Sequence, residues 1–162
     1  MKPKPTSKNY IKFIRSFVGH RRVLMNFVMG VIFNDAGEIL LQKRFGNGKW
    51  GLPGGTMELG ETFTKTLSRE VEEETCLKVK AIKLLGIYSG RKYYNTHPNG
   101  DKTQPVTVVF YVKVIGGKLK IGSDNESLDL KFFSKENLPE IASKAFFDII
   151  NDALERKDTV WK

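Results

Sequence analysis

Four glutamates crowd into the short segment SREVEEET, which covers residues 68–75 of a chain that is otherwise basic. Glu70, Glu73 and Glu74 follow one another at helical spacing i, i+3 and i+4, so on a helix they share one side. Carboxylates about 4 Å apart repel each other by roughly 1–4 kcal/mol per pair, depending on the local dielectric. A hard divalent cation such as Mg²⁺ or Mn²⁺ prefers carboxylate oxygens and offsets that repulsion. The segment therefore indicates a metal site.

The helix that carries these glutamates is predicted over residues 62–75. At 100° per residue, Phe63, Leu67 and Val71 fall within about 80° of one another and form the predicted buried stripe. Glu74 falls inside that stripe, whereas Glu72 lies roughly opposite it. We therefore expect Glu72 to be solvated and Glu74 to be buried, where an unpaired charge is costly.

A glycine-rich loop precedes this helix. The segment FGNGKWGLPGG, residues 45–55, holds five glycines and one proline. Such a loop lets the backbone approach a ligand closely, offering carbonyl oxygens to a metal and amide groups to a phosphate. The loop and the acidic helix together favour a polyphosphate that is bridged to protein carboxylates by Mg²⁺.

The segment from Gly55 to Leu77, GTMELGETFTKTLSREVEEETCL, resembles the Nudix box of the Nudix (MutT-like) hydrolases. Eight spaced positions of the box pattern match: Gly55, Glu61, Arg69, Glu70, Val71, Glu73, Glu74 and Leu77. The preceding GKWGLPGG is also typical of the family. One position departs, because Cys76 stands where the box has a glycine that ends the helix in a left-handed conformation.

The resemblance implies an α/β fold, the Nudix α/β/α sandwich with a central mixed β-sheet. It also implies a metal-dependent pyrophosphohydrolase that cleaves a nucleoside diphosphate linked to another moiety, such as a nucleoside triphosphate, an ADP-ribose-like compound or a dinucleoside polyphosphate. The cofactor would be Mg²⁺, with Mn²⁺ as a substitute, and the metal ligands by position would be the Gly55 carbonyl, Glu70, Glu73 and Glu74. Arg69 would orient the carboxylates, and Glu61 would support the junction of loop and helix.

Residues outside the box supply candidates for the remaining roles. Family members differ in their general base, and Glu126, six residues before the first aromatic residue of a late strand, is a candidate alongside the box glutamates. Arg44 is a candidate for neutralising phosphates. Tyr93 and Tyr94 lie in a long polar segment, residues 90–104, and could stack on a base.

The first 22 residues form a basic N-terminal helical extension ahead of the Nudix domain, residues 23–162. They contain seven basic residues and no acidic residue, so they supply most of the net charge of +9 of the whole chain. Apolar residues at helical spacing from Tyr10 to Val18, with Ser7 as N-cap and Gly19 as a stop, predict an amphipathic helix. We expect it to pack on the domain or on a second subunit, as in a homodimer. The alternative is a contact with RNA or an anionic membrane.

The chain length of 162 residues suggests one domain, and its composition is that of a soluble protein. No apolar run approaches the roughly 20 residues of a membrane span, so no membrane partner is expected. A single cysteine excludes an internal disulfide and favours a cytoplasmic location. Besides hydrolysis of a small nucleotide, two functions stay open: an RNA 5′-end pyrophosphohydrolase and a non-catalytic nucleotide-binding regulator.

The remaining segments predict a sheet flanked by helices. Strands are predicted at residues 23–33, 38–44, 79–89 and 128–133, and an amphipathic helix at residues 143–157. Residues 105–115 and 117–121 are predicted to form a hairpin about Gly116 and Gly117.

Overall fold

The computed structural model of the protein describes residues 10–123 and 126–162. The helices are α1 (Tyr10–Val18), α2 (Phe63–Thr75) and α3 (Lys144–Leu154). The strands up to α2 are β1 (Val23–Val31), β2 (Ile39–Arg44), β3 (Trp50–Gly51) and β4 (Gly54–Thr56). Those that follow are β5 (Leu77–Tyr88), β6 (Asn95–Thr96), β7 (Lys102–Gly117), β8 (Ser127–Phe133) and β9 (Val160–Trp161).

The central sheet is mixed and has the strand order β4-β1-β7-β5-β9, with β6 added to β7. Strand β1 runs parallel to β7, whereas β5 runs antiparallel to it. A second, antiparallel sheet has the order β3-β2-β8. Strand β4, the end of the glycine-rich segment, pairs with β1 through Val28 and Gly55. The backbone of that segment is therefore fixed to the central sheet.

Alternating apolar residues on β1 and β2 face two helices on opposite sides. Val28 and Leu40 pack with the apolar side of α2. The next residues along each strand, Met29 and Leu41, pack with the apolar side of α3. Since successive side chains of a strand point to opposite faces, the sheets lie between the helices. This confirms the predicted α/β/α sandwich.

The predicted hairpin about Gly116 and Gly117 is wrong. Residues 118–122 form no strand, and β7 pairs with β1 and β5 instead. The backbone N–H groups of Lys120 and Gly122 donate to carbonyl oxygens in the last turn of α2, over 3.0 Å each. These carbonyls have no partner within the helix, so the segment satisfies the end of α2 rather than adding a strand.

Two segments predicted as loops contain regular structure. The glycine-rich loop includes the short strands β3 and β4. The polar segment at residues 90–104 contains a 3₁₀ turn at Arg91–Tyr93, the strand β6 and the first residues of β7. Pairing of β6 with β7 turns this predicted loop into a short hairpin.

The N-terminal helix α1 has no buried residue among its nine. Polar contacts from the helix and from the residues after it attach it to the β6–β7 hairpin. Arg15 donates to the Lys102 carbonyl, and both Arg15 and His20 pair with Asp101. The predicted N-cap Ser7 lies outside the described residues. Within the described part of the chain, no helix is long and apolar enough to cross a membrane.

Candidate active site

Helix α2 begins and ends at defined caps. The Thr62 side chain accepts a hydrogen bond from the Lys65 backbone N–H at the start of the helix. Cys76 ends the helix in the left-handed conformation, with φ = 58°, and its N–H donates to the Glu72 carbonyl. A cysteine thus adopts the backbone conformation that the box glycine favours, at a strain of about 1 kcal/mol.

Burial along α2 separates the four glutamates. Glu74 is only 2% exposed, whereas Glu72 and Glu73 are exposed. Glu70 is half-buried. The predicted burial of Glu74 and solvation of Glu72 are confirmed, but the predicted burial of Phe63 is wrong, because its side chain is 40% exposed. Phe63 is the first residue of the helix, and the buried residues of α2 begin one turn later with Thr66 and Leu67.

Arg69 gathers three carboxylates and a carbonyl. Its Nε and Nη2 donate to the two carboxylate oxygens of Glu61 over 2.8 and 2.9 Å. Its Nη1 donates to Glu70 over 2.8 Å and to Glu73 over 3.2 Å. Nη2 also reaches the Thr56 carbonyl at 3.1 Å. This bidentate, charge-assisted pairing fixes the acidic side of the helix to the end of β4.

The pKa values of Glu61 and Glu70 shift in opposite directions, although Arg69 lowers both. The hydrogen bonds from Arg69 lower the pKa of Glu61 to about 2, so this carboxylate stays ionised and holds the guanidinium. Burial raises the pKa of Glu70, and the pull of Arg69 does not outweigh it. The negative charges of Glu73 and Glu126 raise it further. The Glu61 carboxylate thus holds Arg69 in place, whereas the ionised form of Glu70 would be stabilised by further positive charge.

Glu74 is the most isolated acid of the cluster. One of its carboxylate oxygens accepts the Gly54 backbone N–H over 2.7 Å. Burial raises the pKa of Glu74 to about 8, although Gly54, Gln42 and the charge of Arg44 oppose the rise. A cation next to Glu74 would favour its ionised form and lower this pKa.

Gln42 is a polar residue of the site that the sequence analysis missed. It is fully buried, its Nε2 donates to Ser127 Oγ over 2.7 Å, and its Oε1 has no hydrogen-bond partner among the described residues. The signal in the sequence is the glutamine in the otherwise apolar run ILLQKR. A buried, half-satisfied amide beside Glu74 links β2 and β8 to the box helix.

The two glycines of β4 allow this close approach. A Cβ atom at Gly55 would overlap the Glu70 carboxylate, and one at Gly54 would overlap the Val28 carbonyl. Gly54 also has φ = 137°, a conformation that favours glycine. The Glu70 carboxylate therefore lies directly against the Gly55 backbone, as a shared ligand set would require.

The donor set suits a hard divalent cation. It consists of the carboxylates of Glu70, Glu73 and Glu74 and the neighbouring backbone of Gly55, all oxygen ligands. Among the described residues, no three acidic, histidine or cysteine side chains converge closely enough to hold a metal as they stand. Arg69 draws two of the carboxylates to one side and Gly54 holds the third, so binding would require these side chains to turn toward one ion.

The structure brings Glu126 and Arg44 to the cluster. The Glu126 carbonyl accepts the Phe45 N–H over 2.9 Å, which attaches it to the end of β2, and its charge acts on Glu70. The positive charge of Arg44 has the opposite effect on Glu74, because it lowers the pKa of that carboxyl. Both predicted positions thus lie within electrostatic reach of the box carboxylates.

The two tyrosines are not brought to the cluster as open stacking surfaces. Tyr93 is 4% exposed, belongs to the hydrophobic core and donates from its hydroxyl to Asp148 over 3.0 Å. Its ring is therefore not open to a base, and its predicted role in stacking on the substrate is wrong. Tyr94 is partly exposed, but the Arg22 guanidinium lies 3.8 Å from its ring centroid and covers it.

The described site can be set beside known proteins. Residues 24–151 match the family model of the NUDIX domain. An ADP-ribose pyrophosphatase of Methanocaldococcus jannaschii is 42% identical over 119 residues, which cover 71% of this chain and 64% of that protein. An RNA pyrophosphohydrolase of Actinobacillus pleuropneumoniae is 34% identical over 112 residues, covering 62% of this chain and 50% of that protein. The chain thus spans between half and two thirds of the length of these relatives.

A solved structure shares the fold. The ADP-ribose pyrophosphatase of Streptococcus suis superposes with a TM-score of 0.66 and 24% identity, and the match covers 85% of this chain and 98% of that one.

Proposed function

The chain belongs to the Nudix family, and on that premise we propose that it is a metal-dependent pyrophosphohydrolase acting on a nucleoside diphosphate linked to another moiety. The observation that carries the proposal is the set of carboxylates around Arg69 and Gly54. One of them, Glu74, is buried, and no cationic side chain of the described residues bonds to it. The similarity to pyrophosphohydrolases supports the same reaction. A cytoplasmic location and a homodimer belong to the proposal as well.

Each residue has a proposed task. Glu70, Glu73, Glu74 and the Gly55 carbonyl would hold Mg²⁺, or Mn²⁺ in its place. A bound ion of this kind neutralises phosphate charge and lowers the pKa of water. Arg69, itself held by Glu61, keeps Glu70 and Glu73 oriented, and Arg44 lies where it can neutralise a phosphate. These groups bind and align the pyrophosphate.

The chemistry is a hydrolysis. The oxygen of a water molecule forms a bond to one phosphorus of the pyrophosphate, and the bond from that phosphorus to the bridging oxygen breaks. The water proton passes to a carboxylate, for which Glu126 is the candidate outside the box and the box glutamates are the alternative. An ADP-ribose-like compound would give two phosphate monoesters, and a nucleoside triphosphate would give a nucleoside monophosphate and pyrophosphate or a nucleoside diphosphate and phosphate. A dinucleoside polyphosphate would give two nucleotides that share its phosphates.

The test is turnover of a substrate panel with MgCl₂ or EDTA. The panel holds dNTPs, ADP-ribose, NADH, diadenosine polyphosphates, sugar nucleotides and 5′-triphosphate RNA. Glu73→Gln should lower kcat by about 10²–10⁴-fold, whereas Glu72→Gln, an exposed neighbour on the same helix, is the matched control and should retain activity. Equal turnover in the two variants would contradict the assignment. Nucleotide binding without turnover in the wild type would point to a non-catalytic regulator instead.

A second candidate is an RNA 5′-end pyrophosphohydrolase, favoured by the similarity to the Actinobacillus protein. Arg15 and Arg22 already bond to backbone carbonyls of the domain. Among the described residues of the extension, Lys12 and Arg21 are then the basic groups that could contact RNA phosphates. Lys12→Glu together with Arg21→Glu should weaken 5′-triphosphate RNA binding and reduce its salt dependence if RNA is the substrate. Hydrolysis of a small nucleotide should be unaffected by the same change.

A further inference from the structure

Gln42 is a buried polar residue on the side of β2 that faces the box helix. Leu40, two residues earlier, packs with the apolar side of α2, and alternate side chains of a strand point to the same face. Leu130, which lies opposite Gln42 on β8, packs against the same cluster. Gln42 is fully buried there, and among the described residues its Oε1 has no hydrogen-bond partner. A buried acceptor without a donor lowers stability, so packing alone would favour an apolar residue at this position.

The amide group of Gln42 is bonded to the start of β8. Its Nε2 donates to Ser127 Oγ over 2.7 Å. The pairing of β2 with β8 shifts at this point, because it passes from Asp129 to Ser127 and skips Leu128. By alternation Leu128 would join Leu130 on the side of Gln42, but it is exposed, and the bulge brings Ser127 to the amide instead. The strand is thus locally distorted to make this hydrogen bond.

The hydrogen bond to Ser127 and two backbone hydrogen bonds fix the segment that carries Glu126. Ser127 directly follows Glu126 in the chain, and the Glu126 carbonyl accepts the Phe45 N–H over 2.9 Å. On the other side of the segment, the Gly122 N–H donates to the Glu74 carbonyl in the last turn of α2 over 3.0 Å. Four residues of chain span at most about 14 Å. Glu126 is therefore confined between the end of β2 and the end of the box helix.

We propose that Gln42 is a positioning residue of the reaction, which holds Glu126 beside the box helix through its hydrogen bond to Ser127. The inference rests on the proposed function and assigns the uptake of the water proton to Glu126 rather than to a box glutamate. Gln42 itself takes no part in the bond changes. Without its hydrogen bond to Ser127, the Glu126 carboxylate would shift relative to the box carboxylates, and a base misplaced by about 1 Å can cost about a hundredfold in rate.

Steady-state kinetics with the panel substrate that the wild type hydrolyses tests the positioning role. Gln42→Met keeps the length of the side chain and should lower kcat about ten- to hundredfold with KM unchanged. Ser127→Ala should lose as much, whereas Ser127→Thr, which keeps the hydroxyl, should retain wild-type kcat. Adding Gln42→Met to Glu126→Gln should cause no further loss, because the base that Gln42 positions is already absent.

A second readout requires neither metal nor turnover. In EDTA, the amide hydrogen of Phe45, which is bonded to the Glu126 carbonyl, should exchange about tenfold faster in Gln42→Met than in the wild type. The amide hydrogen of His97, which is bonded within the β6–β7 hairpin, should exchange at the wild-type rate. The double variant Gln42→Met, Ser127→Ala should be at least as stable to urea as the wild type, because both bonded polar groups are replaced together by apolar ones. A residue that only stabilised the fold would show the opposite.

The matched control is Tyr88→Phe, which removes a buried side-chain hydrogen bond beside α3 and should leave kcat unchanged. The proposal is overturned if Gln42→Met or Ser127→Ala keeps wild-type kcat, or if the Phe45 amide exchanges at its wild-type rate in Gln42→Met. It is also overturned if Glu126→Gln turns over like the wild type, or if Gln42→Met lowers kcat further in that background. In each of these outcomes, metal-dependent turnover by the wild type would leave the proposed function standing. Absence of wild-type turnover across the panel would overturn both.

Discussion

Asp152 and Glu74 are both almost fully buried, but their carboxylates have different surroundings. Asp152 of α3 is 1% exposed and accepts hydrogen bonds from the Lys157 and Lys162 ammonium groups and from the Tyr88 hydroxyl. Burial would raise its pKa, but these donors outweigh burial and lower it. Glu74 of α2 is as deeply buried, yet only a backbone N–H and weaker neighbours oppose burial, and its pKa rises to about 8.

This difference indicates that Asp152 is a structural acid, whereas Glu74 is the acid proposed to bind a cation. The fold neutralises the buried Asp152 carboxylate with two lysines and a tyrosine. Among the described residues, no cationic side chain bonds to the Glu74 carboxylate, which lies beside other acids. Such an arrangement is costly for the fold alone, and the cation of the proposed function would offset that cost.

The largest effect is expected from removing the charge of Glu74. Glu74→Gln should lower kcat by about 10²–10⁴-fold, because a neutral amide is a poor ligand for a divalent cation. The free energy of unfolding should stay equal or rise, since no charge pair is lost. Steady-state kinetics and urea unfolding of the same preparation measure both quantities. A large loss of stability would mean that Glu74, like Asp152, is a structural acid.

The reverse outcome is expected at the other site. Asp152→Asn removes the negative charge between two ammonium groups and replaces one of the two acceptor oxygens by an NH₂ donor, and it should lower the free energy of unfolding by about 2 kcal/mol. The folded fraction should keep wild-type kcat. Urea unfolding and kinetics, corrected for the folded fraction, check this. A loss of kcat in fully folded protein would erase the distinction between the two acids.

Stability should also change with pH in opposite directions at the two sites. The pKa of Glu74 is raised from 4.5 to about 8, so its contribution to stability is complete below about pH 4.5 and is lost as the pH rises toward about 8. The pKa of Asp152 is lowered, so its contribution is present above about pH 4 and is lost as the pH falls further. Urea unfolding in EDTA between pH 5 and 8 should show a wild-type decline that is shallower in Glu74→Gln. A slope equal to that of the wild type would refute the buried neutral state of Glu74.

The smallest effect concerns the end of the acidic helix. Cys76→Gly places glycine at the φ of 58° and should raise the free energy of unfolding by about 0.5–1 kcal/mol, because the gain from relieved strain exceeds the entropy of the added glycine. Activity should be unchanged, since no carboxylate is touched. A change in kcat would show that the helix end positions the acids. Thermal unfolding is sufficient to measure the shift.

The sequence predicted the acidic helix and the different exposures of Glu72 and Glu74, because helical periodicity decides which residues face a core. The predicted burial of Phe63 was wrong, since periodicity does not show which turns of a helix lie against the core. The prediction of a hairpin at residues 105–121 was wrong for a related reason. Whether a segment adds a strand or satisfies the end of a helix depends on tertiary contacts, here those of Lys120 and Gly122 with α2.

Tyr93 and Gln42 show the same limit for side chains. Tyr93 lies in a polar segment but belongs to the core. Its burial could not be predicted, because it depends on α3, more than fifty residues later in the chain. Gln42 stood in an apolar strand, but its role depends on Glu74 and Ser127, which only the fold brings beside it.

If Glu74 is a ligand of the cation as proposed, its burial would also couple cation uptake to the release of a proton. A carboxyl group that is largely protonated at neutral pH must release its proton before its oxygens can act as ligands. The apparent affinity for Mg²⁺ should then weaken by up to tenfold for each pH unit below about 8, and the heat of binding should depend on the ionisation enthalpy of the buffer. Mildly acid conditions would thus lower the activity of this site through competition between a proton and a metal ion.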